Sequence, residues 1–190
     1  DDDGEGDHCE VTLDLPPGTP SCADAGTSAE IIRPNLYLLL DYSLSMSWIP
    51  GEDWTEPGRG EDSRWDLVSD GLDALAAPLA AGFNLGLGLF PTTRGSCSQD
   101  NLPQRLLGMA DDHSAADLEA AYGGLNAPGA YTPLTPALRS IKDDQLFELA
   151  ADPLSATRKK ALVLITDGAP NSTGGSCNGD TNVGAAETAI

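Results

Sequence analysis

The chain has 190 residues, of which 40% are hydrophobic, so one folded domain with a sizeable core is expected rather than disorder. Thirty acidic residues against ten basic ones give a formal net charge of -20, which excludes nucleic acid and anionic lipid surfaces as favoured partners and points to cations and basic surfaces. The apolar runs are far shorter than the roughly 20 residues that span a bilayer, so we expect no membrane insertion of this segment.

Residues 1–32 are acidic and rich in Gly, Pro and Ser, which predicts a leader that lies outside the core. The four cysteines lack the CxxC spacing of a zinc site, and their even number suggests disulfides formed in an oxidising compartment. Cys9 with Cys22 would tether the leader, and Cys97 with Cys177 would join two long loops; four free thiols are the alternative. This usage predicts a secreted protein of the extracellular space or cell envelope.

The core domain is predicted to cover 33–190 and to begin with a strand. The run Leu36–Leu40 is continuously apolar, as in a central strand that is buried on both faces. Apolar residues then recur at helical spacing from Arg64 to Ala80, with Ser63 as the N-cap. Residues 83–90 alternate in period two and predict the next strand.

The second half of the chain repeats the alternation of strands and helices. Gln104 to Met109 is predicted as a short edge strand, and Ser114 to Tyr122 as a capped helix. Thr132 to Ala150 opens with two Thr-Pro steps and predicts one or two helices. Ala161 to Thr166 is the second strongly apolar strand, and Val183 to Ile190 predicts the start of a further helix.

This order of elements predicts an α/β fold, with an open and mostly parallel sheet flanked by helices. In such sheets, ligands bind beyond the carboxyl ends of the strands. Both strongly apolar strands end there in an aspartate, Asp41 and Asp167.

Oxygen-bearing side chains cluster around these two aspartates in the sequence. Asp41, Ser43 and Ser45 alternate along one loop, and hard cations such as Mg²⁺ take oxygen ligands of this kind. The pattern Asp41-x-Ser43-x-Ser45, followed by Thr132 at the start of a helix and by Asp167-Gly168 after an apolar strand, resembles the metal-ion-dependent adhesion site of von Willebrand factor type A (vWA) domains. The resemblance covers about residues 33 to 190.

The resemblance implies a doubly wound, Rossmann-like sheet and a metal-dependent adhesive function. Ser43, Ser45 and Thr132 would bind the cation directly, and Asp41 and Asp167 directly or through water. The ion would be Mg²⁺, with Mn²⁺ or Ca²⁺ as alternatives, and one open position would accept a carboxylate from a protein or surface ligand. The setting suggested by leader and cysteines is that of a bacterial lipoprotein-like adhesin.

The sequence departs from the vWA pattern in three ways. The family commonly has Gly where Leu44 stands and a second Gly where Ala130 and Tyr131 precede Thr132. Thr135 lies three residues further on and is the alternative to Thr132 as ligand. The family sheet has six strands and four are predicted here, so the C-terminal strands are expected to be absent, and a separate chain or segment would then complete the sheet beside 161–166.

Two other classes of function are alternatives to binding. An enzyme is not expected, because a DxDxT phosphatase needs an aspartate where Ser43 stands and the chain has no Walker lysine, GxSxG or HExxH motif. The remaining alternative is a structural vWA module whose metal site is vestigial.

Overall fold

The computed structural model describes residues 32–51, 55, 61–92, 103–125 and 131–168. The chain divides into two compact units, Asp1–Ile32 and Arg33–Ile190, and the described residues belong almost entirely to the second. Apart from Ile32, the predicted leader lies outside the described residues, as do both cysteine pairs and the predicted helix at 183–190.

Four strands, three α-helices and one 3₁₀ turn make up the described part of the second unit. In chain order they are β1 (Asn35–Asp41), the 3₁₀ turn (Leu44–Ser47), α1 (Arg64–Gly82), β2 (Asn84–Phe90), β3 (Gln104–Ala110), α2 (Ala115–Tyr122), α3 (Leu134–Asp143) and β4 (Lys160–Ile165). The strands and the first two helices lie within two residues of their predicted bounds.

The strands form one sheet in the order β3-β2-β1-β4. β1 is parallel to both β2 and β4. β3 runs antiparallel to β2 and lies at one edge of the sheet, so its prediction as an edge strand is confirmed. The described residues therefore form a mixed α/β domain with a four-stranded, mostly parallel sheet.

Helices cover both faces of this sheet because side chains of β1 point alternately to either side. Leu36, Leu38 and Leu40 pack with residues of α1 and α2 on one face. Tyr37 and Leu39 pack with residues of α3 on the other face. β1 is therefore buried along its whole length, which explains its unbroken apolar run. No helix in the described ranges has the length and apolar character needed to cross a bilayer.

Serine capping boxes set the start of α1 and α2. The Ser63 hydroxyl accepts a hydrogen bond from the Asp66 amide, and the Asp66 carboxylate accepts one from the Ser63 amide. Ser114 and Asp117 make the same pair of bonds at α2. The N-caps predicted at Ser63 and at the start of α2 are confirmed, because short-range capping chemistry decides both.

The helical prediction for 132–150 is wrong at its C-terminal end. α3 stops at Asp143, and Gln145 then adopts a positive φ of 52°, which no helix continues through. The turn folds Leu146 back under the helix, where its amide donates to the Ile141 carbonyl and its side chain joins the apolar cluster. Burial of Leu146 thus overrides the local preference for a longer helix.

Candidate metal centre

The carboxyl ends of β1 and β4 lie side by side in the sheet. The parallel register pairs Leu40 with Ile165, so Asp41 and the segment after Ile165 lie side by side at the carboxyl ends of the two strands. The polar residues Thr166 and Asp167 follow β4 directly. Open parallel sheets bind their ligands beyond the carboxyl ends of the strands.

The loop after β1 brings three of the predicted metal ligands close together. The Asp41 carboxylate accepts a hydrogen bond from the Ser43 amide through Oδ1 at 2.8 Å, which turns the chain back on itself. The 3₁₀ turn at Leu44–Ser47 continues this curl, and the Ser43 and Ser45 hydroxyls come within 3.1 Å of each other. The bulky Leu44 between them points outward and is 43% exposed.

Two hydrogen bonds join this loop to the end of β4. The Ser45 hydroxyl donates to Asp167 Oδ1 at 2.8 Å, although 122 residues separate the two in the sequence. The Thr166 hydroxyl donates to Asp41 Oδ2 at 2.6 Å. Asp41, Ser43, Ser45 and Asp167 therefore form one continuous polar cluster.

Burial makes the charge of Asp41 costly in the absence of a counter-ion. The residue is fully buried, and desolvation raises the pKa of its carboxyl to about 6. Hydrogen bonds from Thr166 and Ser43 oppose this rise in pKa, and the nearby Asp167 carboxylate adds to it. A cation held beside both carboxylates would relieve desolvation and repulsion together.

Arg64 is a charged neighbour of the cluster that sequence reasoning missed. Its Nη1 lies 2.6 Å from Asp167 Oδ2 and donates a further hydrogen bond to the Ser45 carbonyl at 3.0 Å. The available signal was a basic residue at the first position of a helix, where the helix dipole disfavours positive charge. Thr166 was likewise predicted only as the end of a strand.

Thr132 and Thr135 are both buried where α3 begins. Thr132 is 3% exposed and Thr135 4%, so burial does not separate the two predicted alternatives. Thr132 lies just before the helix, and its carbonyl accepts a hydrogen bond from the Leu134 amide at 2.9 Å. Assignment of either hydroxyl to the metal remains a prediction.

The chemistry and spacing of the donors fit a small hard cation. An octahedral ion with bonds of about 2.1 Å places adjacent ligand oxygens about 3 Å apart. The pairs Ser43 Oγ–Ser45 Oγ and Ser45 Oγ–Asp167 Oδ1 are 3.1 and 2.8 Å apart. Within the described ranges, no three His, Cys, Asp or Glu side chains gather to hold a metal, and the predicted set has only two carboxylates.

A separate cavity of about 320 Å³ lies between α3 and β4. Its lining includes Leu138, Ile141, Phe147 and Leu162, with Lys160 at the amino end of β4. None of the predicted metal ligands contributes to it. The cavity is therefore distinct from the polar cluster at the carboxyl end of the sheet.

Comparison with known proteins finds little similarity. No protein-family model and no curated protein matches the chain. Among solved structures, it is similar to a mutant of the PilB minor pilin from Streptococcus sanguinis, with 19% sequence identity and a TM-score of 0.49. The match covers 75% of this chain and 32% of that one, so this chain spans about a third of the pilin chain.

Proposed function

We propose that this chain is a binding module of the vWA type, with a doubly wound sheet, that recognises a carboxylate on a protein or surface ligand through a divalent cation. The ligands would be Asp41, Ser43, Ser45, Thr132 and Asp167. One observation carries the proposal: the Ser45 hydroxyl contacts both the Ser43 hydroxyl and the Asp167 carboxylate. Two segments far apart in the sequence thus present their oxygens to one point.

The donor set favours binding of an anion over retention of the metal alone. A bound divalent cation would supply an electrophilic position for an incoming carboxylate. The serine hydroxyls contribute neutral oxygens, so the proposed ligand set carries two carboxylate charges, from Asp41 and Asp167. The exposed Leu44 beside the serines offers an apolar contact to the same partner.

The ion would be Mg²⁺, with Mn²⁺ or Ca²⁺ as alternatives, because these hard cations take oxygen ligands. The even number of cysteines without metal-binding spacing supports a location outside the cytoplasm, in the cell envelope or extracellular space. Both assignments belong to the proposal.

A structural module with a vestigial metal site is the second candidate, and one observation favours it. The guanidinium of Arg64 already neutralises Asp167, with 2.6 Å between Nη1 and Oδ2. A permanent positive charge at this place opposes a metal cation and can hold the two segments together without one.

Thermal unfolding with Mg²⁺, with Mn²⁺ and with EDTA tests the proposal. A cation that binds only the folded state stabilises it by about 2.7 kcal/mol at a hundred times its Kd. We expect the wild-type melting temperature to rise with Mn²⁺ or Mg²⁺, and Asp41→Ala to abolish this rise because it removes a charged ligand.

Asp112→Ala is the matched control for this experiment. Asp112 is exposed and follows β3. Because β3 is antiparallel to β2, it ends beside the amino ends of the parallel strands, whereas Asp41 lies at their carboxyl ends. The control variant should respond to the metal as the wild type does. If neither the wild type nor Asp41→Ala is stabilised by millimolar Mg²⁺ or Mn²⁺, the result favours the structural alternative.

A further inference from the structure

Arg64 presents a fixed positive charge to the candidate metal centre. Its Nη1 bridges Asp167 Oδ2 and the Ser45 carbonyl, at 2.6 and 3.0 Å. The side chains of Arg64 and Asp167 are only 19% and 10% exposed, so water screens this ion pair weakly. The pair therefore contributes to the field at the serine hydroxyls.

Local helix stability does not account for an arginine at this position. Arg64 is the first residue of α1, where the helix dipole favours acidic residues and disfavours basic ones. The capping requirement is met by Ser63 and Asp66. The Arg64 amide donates to the Trp48 carbonyl at 3.0 Å, which ties the start of α1 to the loop after β1. Its side chain is thus held toward Asp167 from a fixed backbone.

The arginine limits how Asp167 can bind a cation. Oδ2 of Asp167 accepts from Arg64, and Oδ1 accepts from Ser45. Only Oδ1 therefore faces the serine hydroxyls, which makes Asp167 a donor of a single oxygen to that side. Rotation of the carboxylate to offer both oxygens would break the ion pair.

The arginine also changes the charge of the site. Asp41 and Asp167 contribute two negative charges and Arg64 one positive charge, so these three described groups sum to -1 if both aspartates are ionised. With a divalent cation the sum is +1, whereas without Arg64 it would be zero. A positive sum weakens the hold on the cation and strengthens the attraction of an anionic ligand.

We propose that Arg64 is a positioning residue that lowers the affinity of the site for the metal and raises the affinity of the metal-loaded site for a carboxylate. This inference rests on the proposed function. It adds that the charge of Arg64 would make the site prefer an acidic ligand over a neutral one. It predicts opposite changes in two affinities, which a purely structural role for Arg64 would not produce.

The test compares the wild-type chain with Arg64→Gln and Arg64→Lys, with Mn²⁺ and acetate as probes. Titration calorimetry measures the Mn²⁺ affinity, and broadening of the acetate methyl proton signal by protein-bound Mn²⁺ measures carboxylate binding. Arg64→Gln retains an N–H donor but loses the charge. We expect Mn²⁺ to bind about tenfold more tightly and acetate about tenfold more weakly, and Arg64→Lys to stay close to wild type in both.

Arg33→Gln is the matched control because it removes the same charge at a distance. Arg33 is exposed and precedes β1, so the length of that strand, about 20 Å, separates it from the site. This exceeds the screening length of about 8 Å at physiological salt. Neither affinity should change in this variant.

The outcomes separate failure of the inference from failure of the proposed function. If the wild type binds Mn²⁺ and Arg64→Gln weakens both affinities or leaves both unchanged, Arg64 has no opposing role and the inference is overturned. If only Arg64→Gln binds Mn²⁺, the opposing charge is supported but metal-dependent binding by the wild type is not. If neither protein binds Mn²⁺, both proposals fall.

Discussion

The charge of the Asp41 carboxyl depends strongly on its surroundings. Its unshifted pKa is 3.8, and burial raises the value to about 6 despite hydrogen bonds from Thr166 and Ser43. The folded protein therefore takes up a proton on Asp41 more readily than the unfolded chain does. Stability therefore depends on pH, and binding of a cation at Asp41 would depend on pH as well.

Asp41 gives a pH dependence of stability with a defined sign. Because the folded-state pKa is raised, the folded state holds the proton between pH 3.8 and about 6 while the unfolded state has lost it. The stabilising contribution is fully present below 3.8 and is lost as pH rises through about 6, for a total of about 3 kcal/mol. Without metal, urea unfolding of wild type and Asp41→Asn should differ by that pH-dependent amount.

The same titration should have the opposite effect on the proposed cation binding. Protonated Asp41 is a poor ligand, so Mn²⁺ affinity of the wild type should fall about tenfold per pH unit below about 6. A wild-type stability profile parallel to that of Asp41→Asn in EDTA would contradict the raised pKa. That result would contradict only the raised pKa and not the hydrogen bonds that join the cluster.

Which site residues can be predicted from the sequence depends on their distance along the chain. Asp41, Ser43 and Ser45 share one loop, so their spacing alone predicts a common site. Arg64 and Asp167 are 103 residues apart, and no local pattern pairs them. The link between Thr166 and Asp41 spans 125 residues and was missed for the same reason.

At the scale of the strands, the glycines of β2 create space for Tyr37 of β1. A β-carbon at Gly86 would lie 2.7 Å from Tyr37 Cδ2, and one at Gly88 would lie 2.6 Å from the Tyr37 hydroxyl. Tyr37 is 1% exposed and its ring also contacts Phe147 edge-on, so it has little room to move. β1 and β2 thus fit only with glycine opposite the tyrosine.

We therefore expect Gly86→Ala to destabilise the domain by about 1–3 kcal/mol through overpacking. Gly108→Ala on the neighbouring β3 is the control, because nothing lies within 4 Å of the added carbon. Its effect should be close to zero or slightly stabilising, since alanine restricts the unfolded chain. Urea denaturation measures both, and equal losses at the two sites would show that contact with Tyr37 is not the cause.

α3 shows where periodicity misleads at the scale of one element. The sequence predicts one or two helices from 132 to 150, yet the helix occupies only Leu134–Asp143. Gln145 accepts a positive φ because Leu146 gains burial against Ile141. A sequence window contains no information on that gain, which depends on the face of the sheet that α3 covers.

At the scale of the molecule, the sheet of the described residues ends at β4 with an apolar strand. Leu162 and Leu164 pack toward α3, and Ile165 packs toward the opposite face, while Val163 is 40% exposed. Such an edge offers backbone groups and apolar surface to another strand. The net charge of -20 opposes association between copies.

Any concentration-dependent association through β4 should be weaker in Val163→Lys, while the fold stays intact. A lysine on an edge strand adds a charge that a neighbouring strand must desolvate. Leu75→Lys on α1 is the control, because Leu75 is 52% exposed but lies on a helix with no strand edge. Light scattering with size-exclusion chromatography measures the effect, and equal behaviour of both variants would exclude pairing at β4.

The sequence by itself determined the alternation of strands and helices, the capping serines and the aspartates that close β1 and β4. These features are decided by periodicity and by contacts within a few residues, which a linear reading contains. Only the tertiary structure decided the ion pair of Arg64 with Asp167, the end of α3 and the fit of Tyr37 against β2. Each of these depends on groups brought together through space, where burial and charge outweigh local preference.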